Sequence, residues 1–287
     1  MADKAKSMRK AALLAAKIRY DVVRMIGGKG DVGHLGGSCS SADIVAALYG
    51  ARMKHDPKNP DMHGRDKCLY SKGHAVIAQY AAMAETGYFP VEEIYTLKSY
   101  GSRFQGHPDR LKTPGIEAGT GSLGQGLSVA NGMALAMKLD GWDDSKVYCI
   151  MGDGELAEGQ IWEAAMAGAV YKLDNVVGIV DKNNLQAMGA VVDRFDTNPL
   201  PEKWASFGWH VIEIDGHNLE EIFAAFDESD TVKGKPTVII ANTVKGKGIS
   251  FAENVVGFHN GALTKDQYEQ GLREMEAVIA ELEREGA

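Results

Sequence analysis

The sequence predicts an α/β fold: a parallel sheet with helices on both faces. Three observations predict it. Short apolar runs rich in β-branched residues recur at KVYCIM (146–151), NVVGIV (175–180), HVIEID (210–215) and PTVIIANT (236–243). Helical patterns over 158–172 and 219–227 each separate two of these runs. Strand, helix, strand in succession gives parallel strands with right-handed crossovers, and both sheet faces are then covered.

The elements follow in chain order. Residues 4–26 read as a helix, because Leu13, Leu14, Ile18, Val22 and Met25 recur at three- and four-residue steps before Gly27-Gly28 stops the run. A glycine-rich turn (GDVGHLGGS, 30–38) leads through Ser41-Ala42-Asp43 into a second helix ending near Tyr49. KHDPKNPDMHGRD (54–66) is a polar loop, Cys68 to Tyr70 a short strand, and 75–86 an Ala-rich helix. After the four runs above, residues 264–287 form one more charged helix. No composition shift divides the chain, so residues 1–287 are expected to be a single domain.

Composition narrows the function classes. The 287 residues carry 31 basic and 39 acidic side chains, a net charge of −8, with no Lys/Arg block, which argues against nucleic-acid binding. No apolar run approaches the ~18 residues of a membrane span, and MADKAKSMRKAALLAAK lacks a signal-peptide core. Three widely spaced cysteines (Cys39, Cys68, Cys149) form neither a disulfide framework nor a CxxC site, so a reduced cytoplasm is the expected compartment. Glycine is 34 of 287, well above the usual ~7%, and it clusters at 33–37, 119–126 and 152–154, where backbone is expected to approach a ligand closely.

The sharpest chemical signal joins MGDGELAEG (151–159) to VDKNNLQ (180–186). Asp153 follows one expected strand and Asn183 the next, so both fall at the carboxyl ends of neighbouring parallel strands, where open α/β sheets bind ligands. A carboxylate and an amide oxygen are hard ligands suited to Mg²⁺ or Ca²⁺. Gly152 and Gly154 let backbone approach a phosphate, and the following helix is expected to aim its N-terminus there. GDG alone is an ordinary turn; the spacing between matched strand ends makes it a metal-plus-diphosphate site.

GDG followed by an Asn pair about thirty residues later resembles the thiamine diphosphate motif. With GHLGGS (33–38), SKGHA (71–75), QGHPD (105–109), TGSLGQG (120–126), DKNN (181–184) and FHNGAL (258–263), in family order, the chain resembles the N-terminal, diphosphate-binding part of a transketolase. The resemblance implies the thiamine diphosphate-binding fold, with Asp153, Asn183 and the main-chain oxygen of Leu185 as divalent-metal ligands. It implies that Gly152, Gly154 and His74 meet the diphosphate, and that Gly121 and Leu123 meet the aminopyrimidine ring. His34, His107 and His259 would face the substrate side of the thiazolium, with Lys245 near the same pocket. Glu158 resembles the acid of a carboxylate relay between paired cofactor sites. Imidazoles that titrate near working pH would carry the substrate's protons both ways. His55, His63, His210 and His217 are expected to be structural or on the surface.

In that family the glutamate that activates the cofactor lies on a second, pyrimidine-binding domain. The residues after Leu263 are too few to build one. The resemblance therefore implies the small subunit of a split transketolase. Such a chain would transfer a two-carbon ketol unit between sugar phosphates only with a separate C-terminal subunit, in two copies of each. A specialised-sugar transketolase, a deoxyxylulose-phosphate synthase or dehydrogenase E1 relative, and a non-catalytic binding module are the alternatives. A dinucleotide-binding module is disfavoured because no GxGxxG follows a first strand.

Overall fold

The computed structural model describes residues 2–27 and 32–286. Five strands, β1 (Lys67–Tyr70), β2 (Val147–Gly152), β3 (Val176–Lys182), β6 (His210–Asp215) and β7 (Thr237–Asn242), form a sheet in the order β1-β2-β3-β7-β6, and every pairing is parallel. The other two strands, β4 (Leu185–Gln186) and β5 (Gly189–Ala190), make a small antiparallel hairpin directly after β3.

Alternation along β2 shows how both faces are covered. Tyr148 and Ile150 join one buried cluster with Ile18, Val22, Ile179 and Ile239. Val147, Cys149 and Met151 join the other, with Leu127, Ile161, Trp204 and Ile240. The expected β-rich runs, the helix expected over 158–172 (Gly159–Val170) and that over 219–227 (Leu219–Thr231) all form. Asn218 caps the second of these, its side-chain oxygen accepting from the N–H groups of Glu220 and Glu221.

The first helix spans Ala2–Gly27 and packs against the last, Lys265–Gly286. Gly27 permits the approach, since a Cβ there would lie 2.2 Å from the Tyr268 ring. A capping box starts the last helix. Gln267 donates its N–H to Thr264 Oγ1 at 3.2 Å, and Thr264 N–H returns a bond to Gln267 Oε1 at 3.0 Å.

Three local expectations differ. The glycine-rich turn expected over 30–38 lies partly outside the described residues, and its later part is a helix, Leu35–Ser40, buried throughout. Close packing demands the small residues there: a Cβ on Gly36 would sit 2.9 Å from Lys245 Cγ. The second helix is shorter than expected, Ala42–Ala47, and widens into a π turn over Leu48–Arg52. Beyond GDG the chain first makes a 3₁₀ turn (Gly154–Ala157), and the α-helix starts only at Gly159. Two helices, Gln125–Leu139 and Leu200–Ser206, were not expected. No helix among the described residues is long and apolar enough to cross a membrane.

Asp21, on the first helix, is buried, accepts from Tyr95 Oη at 2.6 Å and has its second oxygen unpartnered. Burial pushes its carboxyl up to about 7. Between the unfolded carboxylate's ~4 and this value the native chain holds a proton that the unfolded chain lacks. Its contribution to stability is therefore full below pH ~4 and is lost as pH rises to about 7. Asp21→Asn, which keeps the acceptor for Tyr95, is expected to match the wild type at pH 4 and to exceed it by roughly 2–4 kcal/mol at pH 8 in urea unfolding.

Candidate cofactor cavity

The carboxyl edge of the sheet builds the site. β2 and β3 run in register with Gly152 opposite Asp181, and β3 and β7 with Lys182 opposite Asn242. Asp153, Asn183 and the segment Thr243–Lys245 therefore emerge side by side. A cavity of about 250 Å³ opens there. His34, His74, His107, His259, Gly121, Leu123, Gly152, Asp153, Gly154, Asn183, Leu185 and Lys245 all line it. Residues far apart in sequence meet through a two-bond bridge, Gly33 N–H to Gly261 O at 3.1 Å and Gly261 N–H to Gly33 O at 3.0 Å. It sets His34 beside His259, with ring centroids 5.7 Å apart. Glu158 is the expected residue that does not line the cavity; it is exposed and precedes the helix that starts at Gly159, beside Gly124, without a side-chain capping bond.

The four imidazoles form one wall. His74 lies 4.9 Å from His34 and 5.1 Å from His259, and His107 lies 6.1 Å from His34, centroid to centroid. Burial, then Lys98 and other nearby cationic groups, pushes His34 down to about 4. Burial and then Lys72 take His74 to about 2, while burial and then Lys245 take His259 to about 3. Burial and Lys98 lower His107 too. Titration near neutral pH, expected from the unperturbed imidazole, is thus replaced by four neutral rings. Each offers one N–H donor and one acceptor at pH 7.

Asp153 is buried and accepts the N–H of Gly154 at 2.8 Å and of Asn184 at 2.5 Å. Burial, and then the neighbouring Asp181, pushes its carboxyl up to about 6. No ion pair with a basic side chain relieves it among the described residues, so a cation beside it would offset a real cost. The Asn183 amide oxygen accepts the Leu185 N–H at 3.2 Å, and the Leu185 carbonyl accepts from Lys245 Nζ at 2.8 Å. These donors are a carboxylate, an amide and a carbonyl, a set that fits a hard divalent cation. The expected third ligand, Leu185 O, is shared with an ammonium. Burial, then Lys72, lowers Lys245 to about 8.

Backbone approach is tight where glycine was expected to matter. A Cβ on Gly73 would lie 2.8 Å from Gly121 N and 2.7 Å from Thr120 C, and Gly121 itself takes a φ of +146°. The missing side chain at Gly73 lets the SKGHA loop touch the TGSLG loop, and that at Gly121 makes room for His107, whose ring a Cβ would meet at 2.8 Å.

Several residues of the site carry roles that sequence reasoning missed. Buried Glu155 accepts from Gly124 N–H at 2.8 Å, from Gly152 N–H at 3.0 Å and from Ser71 Oγ, tying three cavity loops to one carboxylate. Lys72, which lines the cavity, forms a buried ion pair with Asp181 and also donates to Gly37 O at 2.9 Å. Burial alone would raise the Asp181 carboxyl. Lys72, Ser40 and Thr243 outweigh it and hold the group below the ordinary carboxylate range. A signal existed: Asp181 follows the apolar run VVGIV within a buried strand, and a carboxylate there needs a partner. His217 is structural, as expected. Its Nδ1 meets Asp43 Oδ2 at 2.7 Å and its Nε2 accepts the Val244 N–H at 2.8 Å.

Comparison with known proteins agrees with this geometry. The family model for the transketolase thiamine diphosphate-binding domain matches residues 11–276. The chain is 46% identical over 260 residues to the 6-deoxy-6-sulfo-D-fructose transketolase subunit SqwG of Clostridium sp. (strain MSTE9), covering 91% of this chain and 92% of that protein. It is 43% identical over 257 residues to an apulose-4-phosphate transketolase subunit of Phocaeicola vulgatus, covering 90% and 91%. The crystal structure of transketolase from Campylobacter jejuni superposes with a TM-score of 0.84 at 30% identity. That match covers 96% of this chain and 45% of the solved one, so the chain spans less than half the length of that transketolase.

Proposed function

The chain belongs to the transketolase family through its thiamine diphosphate-binding domain, and from that premise we propose that it is the diphosphate-binding subunit of a split transketolase. With a separate C-terminal subunit, in two copies of each, it moves a two-carbon ketol unit from a ketose to an aldose. The observation that carries this reading is the convergence of Asp153, Asn183 and four neutral imidazoles on one cavity at the sheet's carboxyl edge. The relatives named for a sulfo-sugar and for a sugar phosphate support an anionic ketose as donor.

Asp153, Asn183 and the Leu185 carbonyl would hold Mg²⁺ (or Ca²⁺), with Lys245, which now donates to that carbonyl, giving up the bond. His74, neutral at pH 7, would donate its N–H to a diphosphate oxygen, and Gly152 and Gly154 would leave room for the phosphates. Gly121 and Leu123 line the pyrimidine end. When bound, thiamine diphosphate supplies an electron sink for carbon–carbon cleavage. His34, His107 and His259 start as neutral rings, each with one free ring nitrogen, so one of them would first accept the donor hydroxyl proton and later return it to the acceptor sugar. Glu158, exposed outside the cavity, serves the relay between paired sites.

Calorimetric titration with thiamine diphosphate and Mg²⁺, with and without the companion subunit, tests the reading. Binding and ketol transfer are expected only from the pair. Full turnover by this chain alone would overturn the split arrangement, and absence of cofactor binding by the pair would overturn the cofactor assignment.

A further inference from the structure

Asp181 is fully buried and accepts from four side chains on four separate segments: Ser40 Oγ at 2.6 Å, Asn183 Nδ2 at 3.2 Å, Lys72 Nζ and Thr243 Oγ1. An ionised carboxylate offers about four acceptor sites and no donor. Three of the donors (Ser40, Lys72, Asn183) converge on Oδ2 and Thr243 on Oδ1, and neither oxygen of the ionised group can donate.

The consequence falls on Asn183. An asparagine amide is nearly symmetric in shape, so packing alone does not decide which end faces a ligand. Here the neighbour on one side can only accept, which compels the Nδ2 end toward Asp181. The Leu185 N–H, 3.2 Å from Oδ1, compels the same orientation from the other side. The amide oxygen is thus turned away from Asp181, on a residue that lines the cavity together with Asp153 and Leu185. A flipped amide would aim its hydrogens at a cation and remove a ligand.

We propose that Asp181 is a positioning residue that fixes the Asn183 amide with its oxygen toward the metal, and so sets the divalent-cation affinity of the site. The inference rests on the cofactor reading above. Ser40 and Thr243 hold Asp181 without touching Asn183, which gives an internal control.

The test is a Mg²⁺ titration at saturating thiamine diphosphate, on the full chain with its companion subunit, alongside the melting temperature of each metal-free protein. Asp181→Asn is expected to weaken Mg²⁺ by about 10- to 100-fold, the usual cost of losing a group that orients a metal ligand. Ser40→Ala is expected to lower the melting temperature and leave Mg²⁺ affinity within about twofold, because the orienting contact survives. If Asp181→Asn does not fold, the pair Lys72→Met with Asp181→Leu removes both buried charges together and decides the matter. Mg²⁺ affinity within twofold of the wild type in a folded Asp181 variant overturns the proposal, as does an equal loss in Ser40→Ala. Failure of the wild type to bind overturns the cofactor reading and this inference together.

Discussion

Asp153→Ala is expected to weaken thiamine diphosphate and Mg²⁺ binding by more than about a hundredfold, since even groups that merely orient ligands cost 10- to 100-fold. Asp153 is the anionic member of the ligand set, and Asn183 and the Leu185 carbonyl are neutral and cannot balance a divalent charge. Alanine would also leave the N–H groups of Gly154 and Asn184 without their acceptor, so lost stability could be mistaken for lost affinity. Asp153→Asn separates the two. It keeps the shape and an acceptor for one of the two N–H groups, and it is expected to lose less stability than the alanine variant while binding cofactor as poorly. Calorimetry on both, with the urea midpoint of each metal-free protein, checks the result. Retained cofactor affinity in a folded Asp153→Asn protein would place the cation elsewhere.

The second large effect is on stability. Lys72→Met is expected to cost about 3–5 kcal/mol, because it strips the counter-charge from a carboxylate with no exposure to water. Three neutral donors would still reach Asp181, but they solvate a buried anion only partly. Replacing both partners by apolar residues of similar volume is often neutral or stabilising. The combined Lys72→Met and Asp181→Leu variant should therefore recover most of the loss. Urea unfolding of the single and combined variants measures it; a single variant within 1 kcal/mol of wild type would show that water reaches the pair.

How far the sequence could be read depended on whether a feature was local. The strands announced themselves through β-branched runs, and Asp153 and Asn183 through their position just past two of them. The helix Gln125–Leu139 was hidden because its N-terminal turn carries the glycines of the TGSLG loop, and Gly124 at its cap takes φ +84°. GHLGGS reads as a turn by composition, yet it is helical because packing against Lys245 admits nothing larger than glycine at position 36. The hairpin of β4 and β5 has two-residue strands, too short to carry any period. In the site, the motifs marked which residues converge but not what supports them. Glu155, Lys72 and Asp181 act through partners up to 141 positions away, and no spacing rule links such residues. The histidines illustrate the same limit: their presence was legible, but their neutrality follows from burial beside Lys72, Lys98 and Lys245, which only the fold brings about.

The bridge between Gly33 and Gly261 bears on when the cavity can exist at all. Its two bonds close nearly the whole length of the chain into one loop, and bringing such distant positions together is entropically costly and slow. His34 is made early in synthesis and His259 late, so the wall of imidazoles cannot assemble on a growing chain until translation has passed the last strand. The cofactor can therefore meet this wall only after the last strand has been made, and the affinity it contributes can stabilise the closing of that loop.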